Sequence, residues 1–405
     1  RVIRELSKDP GIPGAKVSLT LDMDVQQFAT ERLAGEAAST VVMDIHTGDV
    51  IACVSTPAYD PNDFNIGLSH EKWAGLRDNP YLPLLNKSIA GQYPPGSTFK
   101  MVVAAAAYDS GLVDPNQNIF CSGKTSIGSH DFHCWKKGGH GYVDMRGGIM
   151  HSCDVYFYEI AKRIGIDRIE QMAHRFGLGE TFEFEVPGEK PGLVPSQGWK
   201  RAATGEVWHQ GETLIAGIGQ GYLLATPLQL AVMVSRIANG GQSVRPRVVR
   251  AVGEREVPPP PPLEDIGVSK TALGIVQEGM NMVSNHPRGT AFRARIAEPG
   301  MELAGKTGTA QVRRISRAER ETRVLSNEEL EWRQRDHALF VAYAPVDNPK
   351  YAISVVIEHG SSGSKAAAPV ARDIMRFVLE RDPSSRLAAG DDAMSPAVRD
   401  PAKAG

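Results

Sequence analysis

Three short motifs in this chain carry the residue types that acyl transfer requires. They are Ser97-Thr98-Phe99-Lys100, Ser152-Cys153-Asp154 and Lys306-Thr307-Gly308-Thr309. A serine becomes a nucleophile when a neighbouring group takes its proton, and a lysine can do so in place of a histidine. The three motifs, in this order, are what a serine acyl transferase with a lysine base needs. We therefore predict that Ser97 is the nucleophile and that Lys100 is its base.

Local context sets Ser97 apart from the other serine–lysine pairs of the chain. Ser69 has a lysine at the same spacing, but its surroundings are those of an ordinary helix N-cap. Ser362 lies in a loop rich in glycine and serine. Ser97 instead follows a Pro-Pro-Gly turn and opens the helix-forming run of residues 101–108. There it meets the positive end of the helix dipole, and the lysine of the motif lies one turn away on the same face.

The second motif offers a hydroxyl and a carboxylate to the same lysine. Ser152 and Asp154 precede an apolar run, residues 155–163, that suits a buried helix. Both side chains could therefore reach Lys100 and relay a proton to a leaving amine. Taken alone, the motif could equally be an ordinary helix N-cap.

The third motif is typical of a strand end that binds substrate. Gly308 removes a side chain where a substrate backbone must approach closely, and Lys306 supplies positive charge. Thr307 and Thr309 offer hydroxyls to a carboxylate. The Thr309 N–H is predicted to complete an oxyanion hole with that of Ser97.

With these motifs and their surroundings, the chain resembles the class B penicillin-binding proteins. The resemblance covers about residues 17–379, and within the class it is to the elongation-specific transpeptidases of Gram-negative bacteria. Asp154 fits that group, since most members of the wider class carry asparagine there. The segments that carry the resemblance are residues 93–100, 131–141, 208–213, 217–221, 225–229 and 336–340.

The resemblance implies a peptidoglycan D,D-transpeptidase that cross-links stem peptides ending in D-Ala-D-Ala during cell elongation. It also implies that β-lactams acylate this enzyme at Ser97. It implies an α/β fold, a mixed sheet flanked by helices with an inserted all-helical subdomain. It places the protein at the periplasmic face of the inner membrane, beside a SEDS-family glycosyltransferase and a scaffold protein of the elongation complex. On this basis we expect residues 1–16 to be a remnant of an N-terminal pedestal whose membrane anchor is absent. Residues 17–380 are expected to form the transpeptidase domain, and residues 381–405 a disordered tail.

Two other functions stay open at this point. A D,D-carboxypeptidase or a β-lactamase of the same superfamily would use the same residues with water as the acceptor. A penicillin-sensing domain without enzymatic activity would keep the motifs and only bind. The class B segments and the chain length favour the transpeptidase over the hydrolases, and the intact motifs argue against an idle domain.

Three cysteines and a histidine have the composition of a zinc site. Cys121, Cys134, His140 and Cys153 are separated by twelve, five and twelve residues. A Cys3His set closes all four positions of a tetrahedral zinc ion, so we expect a structural Zn2+ beside the second motif. A Cys121–Cys134 disulfide is the alternative in an oxidising compartment, but it would leave one cysteine of the three unpaired.

His130 and His133 are alternative ligands for the same metal if one member of this set is wrong. The fourth cysteine, Cys53, lies in an apolar strand and is expected to be a buried thiol.

Composition limits the remaining possibilities. The 405 residues are 41% hydrophobic, and the net charge of −2 at pH 7 argues against nucleic-acid binding. No apolar run approaches the roughly 20 residues that a bilayer span needs. Residues 40–45 and 50–54 predict a hairpin, residues 339–344 and 352–358 predict strands, and residues 366–379 predict a final helix.

Two segments stand outside these elements. Residues 258–262 are a polyproline spacer in a loop. Residues 313–336 contain seven arginines and six acidic residues. Such a mixed run is most often a solvated helix or loop, but this one directly follows the third motif. It could therefore also gate the cleft or meet an anionic glycan.

Overall fold

The computed structural model describes residues 11–258, 264–313, 319 and 322–388. Its strands are β1 (Val17–Leu19), β2 (Ala38–Asp44), β3 (Val50–Thr56), β4 (Ile119–Cys121), β5 (Lys124–Ile127), β6 (His130–His133), β7 (Gly141–Val143), β8 (Val249–Val252), β9 (Arg255–Glu256), β10 (Ala304–Ala310), β11 (His337–Ala344) and β12 (Tyr351–Ile357). Its helices are α1 (Met23–Arg32), α2 (Asn62–Ile66), α3 (His70–Arg77), α4 (Lys87–Ala90), α5 (Lys100–Asp109), α6 (Met145–Met150), α7 (Asp154–Ile164), α8 (Ile166–Arg175), α9 (Gln197–Thr204), α10 (Gln210–Gly217), α11 (Pro227–Ala238), α12 (Lys270–Asn285), α13 (Ala368–Arg381) and α14 (Pro383–Ala388).

A five-stranded sheet of order β10-β11-β12-β2-β3 forms the core. Every residue of β2 and β12 is buried, which requires cover on both faces of the sheet. Helices α11 and α12 pack against β2, β12 and β10, while α1 and α13 pack against β3, β11 and β12. Helices α1 and α13 also pack on each other through the rings of Phe28 and Phe377, whose centroids lie 4.5 Å apart. Strand β10 is left as an edge strand.

A helical region is inserted between β3 and β10. Helices α5, α7, α8 and α10 pack on one another, and α6 packs against α12. Residues 101–107 of α5 are all buried, so this helix is apolar on every side and lies at the centre of the inserted region. The strand pairs β4–β7 and β5–β6 lie against α7. The region therefore brings the starts of α5 and α7 towards the sheet.

The expected α/β fold with an inserted helical region is confirmed. The hairpin predicted for residues 40–45 and 50–54 is β2–β3, and the two late strand predictions match β11 and β12. One detail differs, because each pairing in the sheet is antiparallel rather than mixed. The reason is that β10–β11–β12 and β2–β3 are consecutive hairpin-type connections, and β12 then pairs antiparallel with β2 across the chain's two ends.

The chain end differs from the sequence prediction of a disordered tail beginning at residue 381. Residues 383–388 form α14, because Ser384 donates from its hydroxyl to Asp44 at 2.6 Å and from its backbone N–H to Tyr351 Oη at 2.9 Å. Residues 389–405 lie outside the described residues, as do residues 1–10 of the predicted pedestal remnant and residues 259–262 of the polyproline spacer.

Two smaller predictions also change. Cys53 is only half-buried in β3, where Gln26 pairs with its backbone. In the charged segment after β10 the described residues form two short 3-10 turns, Asn327–Glu329 and Trp332–Gln334, while residues 314–318, 320 and 321 lie outside the description. No helix among the described residues is long and apolar enough to cross a bilayer.

Gly363 gives a stability test of the contact between the sheet and the turn before α13. A Cβ at this position would collide with the carbonyl oxygens of Gly308 and Leu339, which as backbone atoms cannot move aside cheaply. We expect Gly363→Ala to lower the free energy of unfolding by about 1–3 kcal/mol, the usual cost of overpacking. Gly274→Ala is the matched control, since Gly274 lies inside α12 with open space around its Cβ position.

The control variant should keep or raise the free energy of unfolding, by up to about 1 kcal/mol, because alanine is the better helix former. Urea denaturation measures both variants. Equal stability of the Gly363→Ala variant and the wild type would contradict the packing described here.

Candidate active site

Ser97 lies in a tight turn held between a loop and the edge of the sheet. The turn is the 3-10 segment Gly96–Phe99, which runs directly into α5. Gly96 has a φ of 53°, and a Cβ on it would lie 2.5 Å from the Thr309 carbonyl oxygen. Its N–H donates to the Gly219 carbonyl at 2.9 Å. Glycine is therefore required at position 96, both by the backbone angle and by the closeness of β10.

Lys100 is completely buried at the start of α5 and is bound to the second motif. Its Nζ donates to Asp154 Oδ1 at 2.6 Å, to Ser152 Oγ at 3.2 Å and to the Ser152 carbonyl at 3.0 Å. Ser152 and Asp154 thus both contact this lysine, and their part in a proton relay stays a prediction. Among the described residues no hydrogen bond joins Lys100 to Ser97.

Ser152 is held in an unusual backbone conformation. Its φ is 52°, in the left-handed region that a non-glycine residue occupies at a cost. Trp135 supports this conformation, since its indole N–H donates to the carbonyls of His151 and Ser152, each at 3.1 Å. The Trp135 backbone N–H donates to Asp154 Oδ2 at 2.9 Å. Trp135 thereby binds both the backbone of Ser152 and the carboxylate of Asp154.

Lys306 approaches the same hydroxyl from the sheet. It is fully buried in β10, and its Nζ donates to Ser152 Oγ at 2.9 Å and to the Thr307 carbonyl at 3.0 Å. Burial lowers the pKa of Lys306 well below its ordinary value, and the Lys100 ammonium lowers it further, while Asp154 opposes the shift. Lys100, the base predicted from the sequence, pairs directly with the Asp154 carboxylate, and the lowered pKa of Lys306 was not predicted.

The remaining residues of the third motif line the edge of β10. Thr307 is nearly buried, and its hydroxyl lies 3.1 Å from that of Thr290. The Thr309 carbonyl accepts a hydrogen bond from Gln220 Nε2 at 3.0 Å. A Cβ at Gly308 would lie 2.9 Å from Thr98 Cγ2, so the missing side chain is required by the Ser97 turn itself. The sequence had suggested a different reason, the approach of a substrate.

Three residues that touch this site were given no role from the sequence. Trp135 and Gln220 stand in segments that carry the resemblance, so their positions were noted without a function. Thr290 had no signal, because its contact with Thr307 depends on how the loop after α12 folds back onto β10.

Cys121, Cys134, His140 and Cys153 form one cluster directly beside the second motif. Their ligand atoms all lie within 4.8 Å of one another. His140 Nδ1 is 3.7 Å from the Cys121 sulfur and 3.5 Å from the Cys134 sulfur. Sulfur and nitrogen ligands about 2.0–2.3 Å from a tetrahedral zinc ion are themselves about 3.3–3.8 Å apart, and both distances from His140 lie in this range.

Local structure explains why these four residues meet. Cys121 ends β4 opposite Gly141 of β7, which brings the preceding His140 to it. Cys153 is the N-cap residue of α7. A hydrogen bond from the Cys153 thiol lowers the pKa of Cys134, and the same contact raises the pKa of Cys153, so the cluster favours a thiolate at Cys134.

The structure does not bring the alternative histidine ligands to this cluster, and it contains no disulfide among the four cysteines. His130 and His133 lie on β6, outside the cluster, and both are exposed. All four cysteines of the chain are free thiols, including Cys121 and Cys134. The His140 Nε2 atom is buried without a hydrogen-bond partner in the described part of the chain.

Comparison with known proteins identifies the family of this fold and site. Residues 38–376 match the penicillin binding protein transpeptidase domain. The peptidoglycan D,D-transpeptidase MrdA of Salmonella typhimurium is 35% identical over 400 residues, which cover 97% of this chain and 63% of that protein. The chain therefore spans less than two thirds of this curated relative.

Two solved structures are similar over most of the chain. Penicillin-binding protein 2 (PBP2) of Pseudomonas aeruginosa, in complex with WCK 5153, is 40% identical with a TM-score of 0.81, covering 91% of this chain and 79% of the other. PBP2 of Helicobacter pylori, in complex with MreC, is 34% identical with a TM-score of 0.81, covering 90% and 64%.

The lowered pKa of Lys306 predicts a pH-dependent stability. A lysine in the unfolded chain has a pKa of about 10.4, whereas the pKa of Lys306 in the folded protein is lowered well below that value. Between the lowered pKa of Lys306 in the folded protein and about 10.4, the folded state binds fewer protons than the unfolded state. The free energy of unfolding therefore rises with pH up to about 10.4. We therefore compare the melting temperatures of the wild type and Lys306→Met at each pH. The wild-type value minus the variant value should increase by at least about 2 °C from pH 7 to pH 10.

The control for this measurement is Lys72→Met, which removes an exposed lysine paired with Asp63. Its difference from the wild type should stay constant over the same range. A constant difference for Lys306→Met as well would show that Lys306 is charged in the folded protein.

Proposed function

Because this chain belongs to the transpeptidase family of the penicillin-binding proteins, we propose that it is a peptidoglycan D,D-transpeptidase, acting on stem peptides during cell elongation. The observation that carries the proposal is the Ser152 hydroxyl, which lies within hydrogen-bond distance of two buried lysines, close to the Ser97 turn. A proton relay with this geometry serves acyl transfer to and from a serine.

The proposed reaction has two steps. Ser97 Oγ attacks the carbonyl between the two terminal D-alanines, the C–N bond breaks, and the last D-alanine leaves after its amine has taken a proton. The amine of a neighbouring stem peptide then attacks the Ser97 ester. A new peptide bond forms, the C–O bond to the serine breaks, and the serine recovers its proton.

Charge balance around Asp154 explains how a proton can be taken from Ser97. The carboxylate balances one positive charge, and its partner at 2.6 Å is Lys100. Burial lowers the pKa of Lys306 well below its ordinary value, so we assign Lys306 the role of the proton acceptor in the relay. Transfer of a proton from Lys100 to Lys306 through the Ser152 hydroxyl leaves Lys100 uncharged and able to accept the proton of Ser97.

The edge of β10 supplies the other half of the proposed site. The backbone N–H groups of Ser97 and Thr309 would stabilise the oxyanion, which the close approach of Gly96 to Thr309 supports. The hydroxyls of Thr307 and Thr309 would bind the substrate carboxylate. Since β10 is an edge strand, an extended peptide can pair with it.

The relatives suggest where this reaction takes place. We infer that the protein works at the periplasmic face of the inner membrane, since its relatives are named as peptidoglycan enzymes. The structure of the H. pylori relative with MreC supports a scaffold protein of that kind as a partner. A SEDS-family glycosyltransferase would supply the glycan strands. Another similar structure supports such a partner, since it belongs to a peptidoglycan synthase complex that coordinates polymerization and crosslinking.

We further propose that Cys121, Cys134, His140 and Cys153 hold a structural zinc ion. When bound, the ion would supply only coordination, since four protein ligands leave no open position for water. Cys134 is followed by Trp135, and Cys153 lies between Ser152 and Asp154, so the ligands and the second motif share the same backbone. Fixing the cluster would therefore also fix the Trp135 hydrogen bonds to the loop.

Covalent labelling tests the proposed nucleophile. We expect benzylpenicillin to add its own mass to the wild type and to Ser69→Ala, and to leave Ser97→Ala unlabelled, because Ser97, unlike Ser69, lies in the turn that leads directly into Lys100. Intact-protein mass spectrometry measures this. Labelling of the Ser97→Ala variant would refute the assignment. Rapid loss of the adduct with repeated turnover would favour a β-lactamase, and a stable adduct without cross-linking of a lipid-linked substrate would favour a sensor.

Elemental analysis tests the metal proposal. Protein purified without chelators should contain about one zinc per chain, as expected for a closed four-ligand site. His140→Ala should lose the metal, melt at a lower temperature and be acylated more slowly, because the loop of the second motif loses its support. Cys53→Ser, outside the cluster, should keep the metal. Metal-free protein with a Cys121–Cys134 disulfide would contradict the proposal and leave the transpeptidase assignment untouched.

A further inference from the structure

Four basic side chains lie next to the second and third motifs and take no part in the proton relay. They are Lys136, His151, His286 and Arg288, which together we call the basic rim. Lys136 and Arg288 are exposed, and the two histidines are half-buried. The rim therefore presents positive charge to solvent beside the site.

Backbone hydrogen bonds join the members of the rim in two pairs. Lys136 follows Trp135, whose indole N–H donates to the carbonyl of His151 at 3.1 Å. The backbone N–H of Arg288 donates to Nδ1 of His286 at 3.1 Å. One pair belongs to the loop of the second motif, and the other belongs to the loop that follows α12.

Helices α6 and α12 bring the two pairs together. His151 caps the C-terminal end of α6, His286 caps that of α12, and the two helices pack on each other. Burial lowers the pKa of His151, and the positive charges of His140, Arg288, Lys136 and His286 lower it further. The charges of both loops therefore act on the same region.

Neighbouring carboxylates do not neutralise the rim. Asp154 accepts hydrogen bonds from Lys100 and from the Trp135 backbone N–H. Glu278 of α12 is paired with Arg146 of α6. In the part of the chain that the structure describes, no ion pair joins a carboxylate to a member of the rim. An anion could thus bind there without displacing an internal partner.

Stabilisation of helix ends accounts for only half of this arrangement. A histidine at a helix C-terminus interacts favourably with the helix dipole when it is charged, which is a sufficient reason for His151 and His286. Lys136 lies between β6 and β7, and Arg288 lies in the loop after α12, so neither caps a helix. These two residues require another explanation.

The rim adjoins the place where the leaving D-alanine would be bound. Thr290, two residues after Arg288, has its hydroxyl 3.1 Å from that of Thr307, which was assigned above to the substrate carboxylate. On the other side, His151 directly precedes Ser152 of the relay. Both loops of the rim thus end at groups that handle the leaving D-alanine.

The acceptor has to enter on this same side. Its amine must occupy the position that the leaving amine vacates, because the second step of the reaction is the first step run backwards with a different amine. The rest of the acceptor then extends outwards past the rim. An unpaired positive surface at that place attracts anionic acceptors and disfavours cationic ones.

We propose that the basic rim binds a carboxylate of the acceptor stem peptide, with Arg288 and Lys136 as its main contacts. The inference rests on the proposed transfer reaction, because it assigns the rim to the second substrate of that reaction. An arginine holds a carboxylate through two parallel hydrogen bonds, and a lysine adds a compact charge. The rim selects acceptors by charge, and it acts on the second step rather than on the acylation of Ser97.

Two matched pairs of acceptors test the rim with Arg288→Gln. Glycine and glycinamide carry a carboxylate or an amide beside the attacking amine, and glycylglycine and glycylglycinamide carry it one residue further away. The acyl donor is diacetyl-Lys-D-Ala-D-lactate. Mass spectrometry measures each transfer product relative to the hydrolysed donor. Comparing the same acceptor between wild type and variant cancels differences in amine reactivity.

We expect Arg288→Gln to lower the preference for the charged acceptor over its amide by about 3- to 5-fold in at least one pair, as for an ion pair that stays partly exposed to solvent. Lys136→Gln should act in the same direction. The pair that responds shows how far the carboxylate lies from the amine. Unchanged preferences in both pairs would overturn the inference, and so would an equal loss for charged and amidated acceptors.

A control variant and a separate measurement of the first step complete the test. Arg201→Gln removes an exposed arginine of α9 and should leave both preferences unchanged. Acylation by benzylpenicillin is followed in every variant by intact mass. Slower acylation of Arg288→Gln with unchanged acceptor preferences would assign this arginine to the donor carboxylate and overturn the inference.

Failure of the inference is distinguishable from failure of the proposed function. A wild type that benzylpenicillin does not acylate would contradict the proposed function itself. A wild type that is acylated and transfers the acyl group to amines, but whose charge preference does not depend on Arg288 or Lys136, would contradict only the inference. Hydrolysis of the donor without transfer to any of the four amines would also count against an acceptor site at the rim.

Discussion

Two buried lysines share one carboxylate in this protein, and the arrangement of the whole site follows from that constraint. Lys100 and Lys306 have no exposed surface, and Asp154 is nearly buried beside them. An isolated charge in such a place is strongly unfavourable, so the carboxylate can support only one ammonium. Burial accordingly lowers the pKa of Lys306 well below its ordinary value, while Lys100 pairs directly with the carboxylate. Ser152 lies between them and connects their protonation states.

This arrangement of charges requires three segments that are distant in the chain to lie close together in the fold. Lys100 comes from the start of α5, Asp154 from the start of α7 and Lys306 from the edge strand β10. Glycines at the contacts allow the backbones to come this close, as at Gly96 beside Thr309 and at Gly308 beside Thr98. Helix α12 packs on β10, and α5 packs on α7, so the sheet and the inserted helices hold the three groups together.

The second motif contains the strained backbone of Ser152, and residues outside the motif hold it in place through hydrogen bonds. Ser152 adopts a left-handed conformation, which costs of order 1–3 kcal/mol for a residue other than glycine. Trp135 contributes three hydrogen bonds to this loop, and the Cys3His cluster includes Cys153 of the same loop. A metal in the cluster would act on catalysis through this loop rather than by touching a substrate.

Much of this protein was predictable from local sequence. The Pro-Pro-Gly turn before Ser97, the apolar run of α5 and the apolar strands near both chain ends have local causes, namely backbone preference and runs of apolar residues. The cysteine spacing was also enough to suggest a four-ligand cluster. These features depend on residues that are close together in the chain.

Only the tertiary structure decided which groups meet and in what state. It lowered the pKa of Lys306 and paired Lys100 with Asp154, because both depend on how β10 packs on the Ser97 turn and on α12, and how α5 packs on α7. It selected His140 over the histidines of β6 through the pairing of β4 with β7. It also brought Gln220 to Thr309 across 89 residues of chain. A sequence states which side chains are present, but protonation and contact are set by neighbours that are remote in the chain, so only the folded structure could supply them.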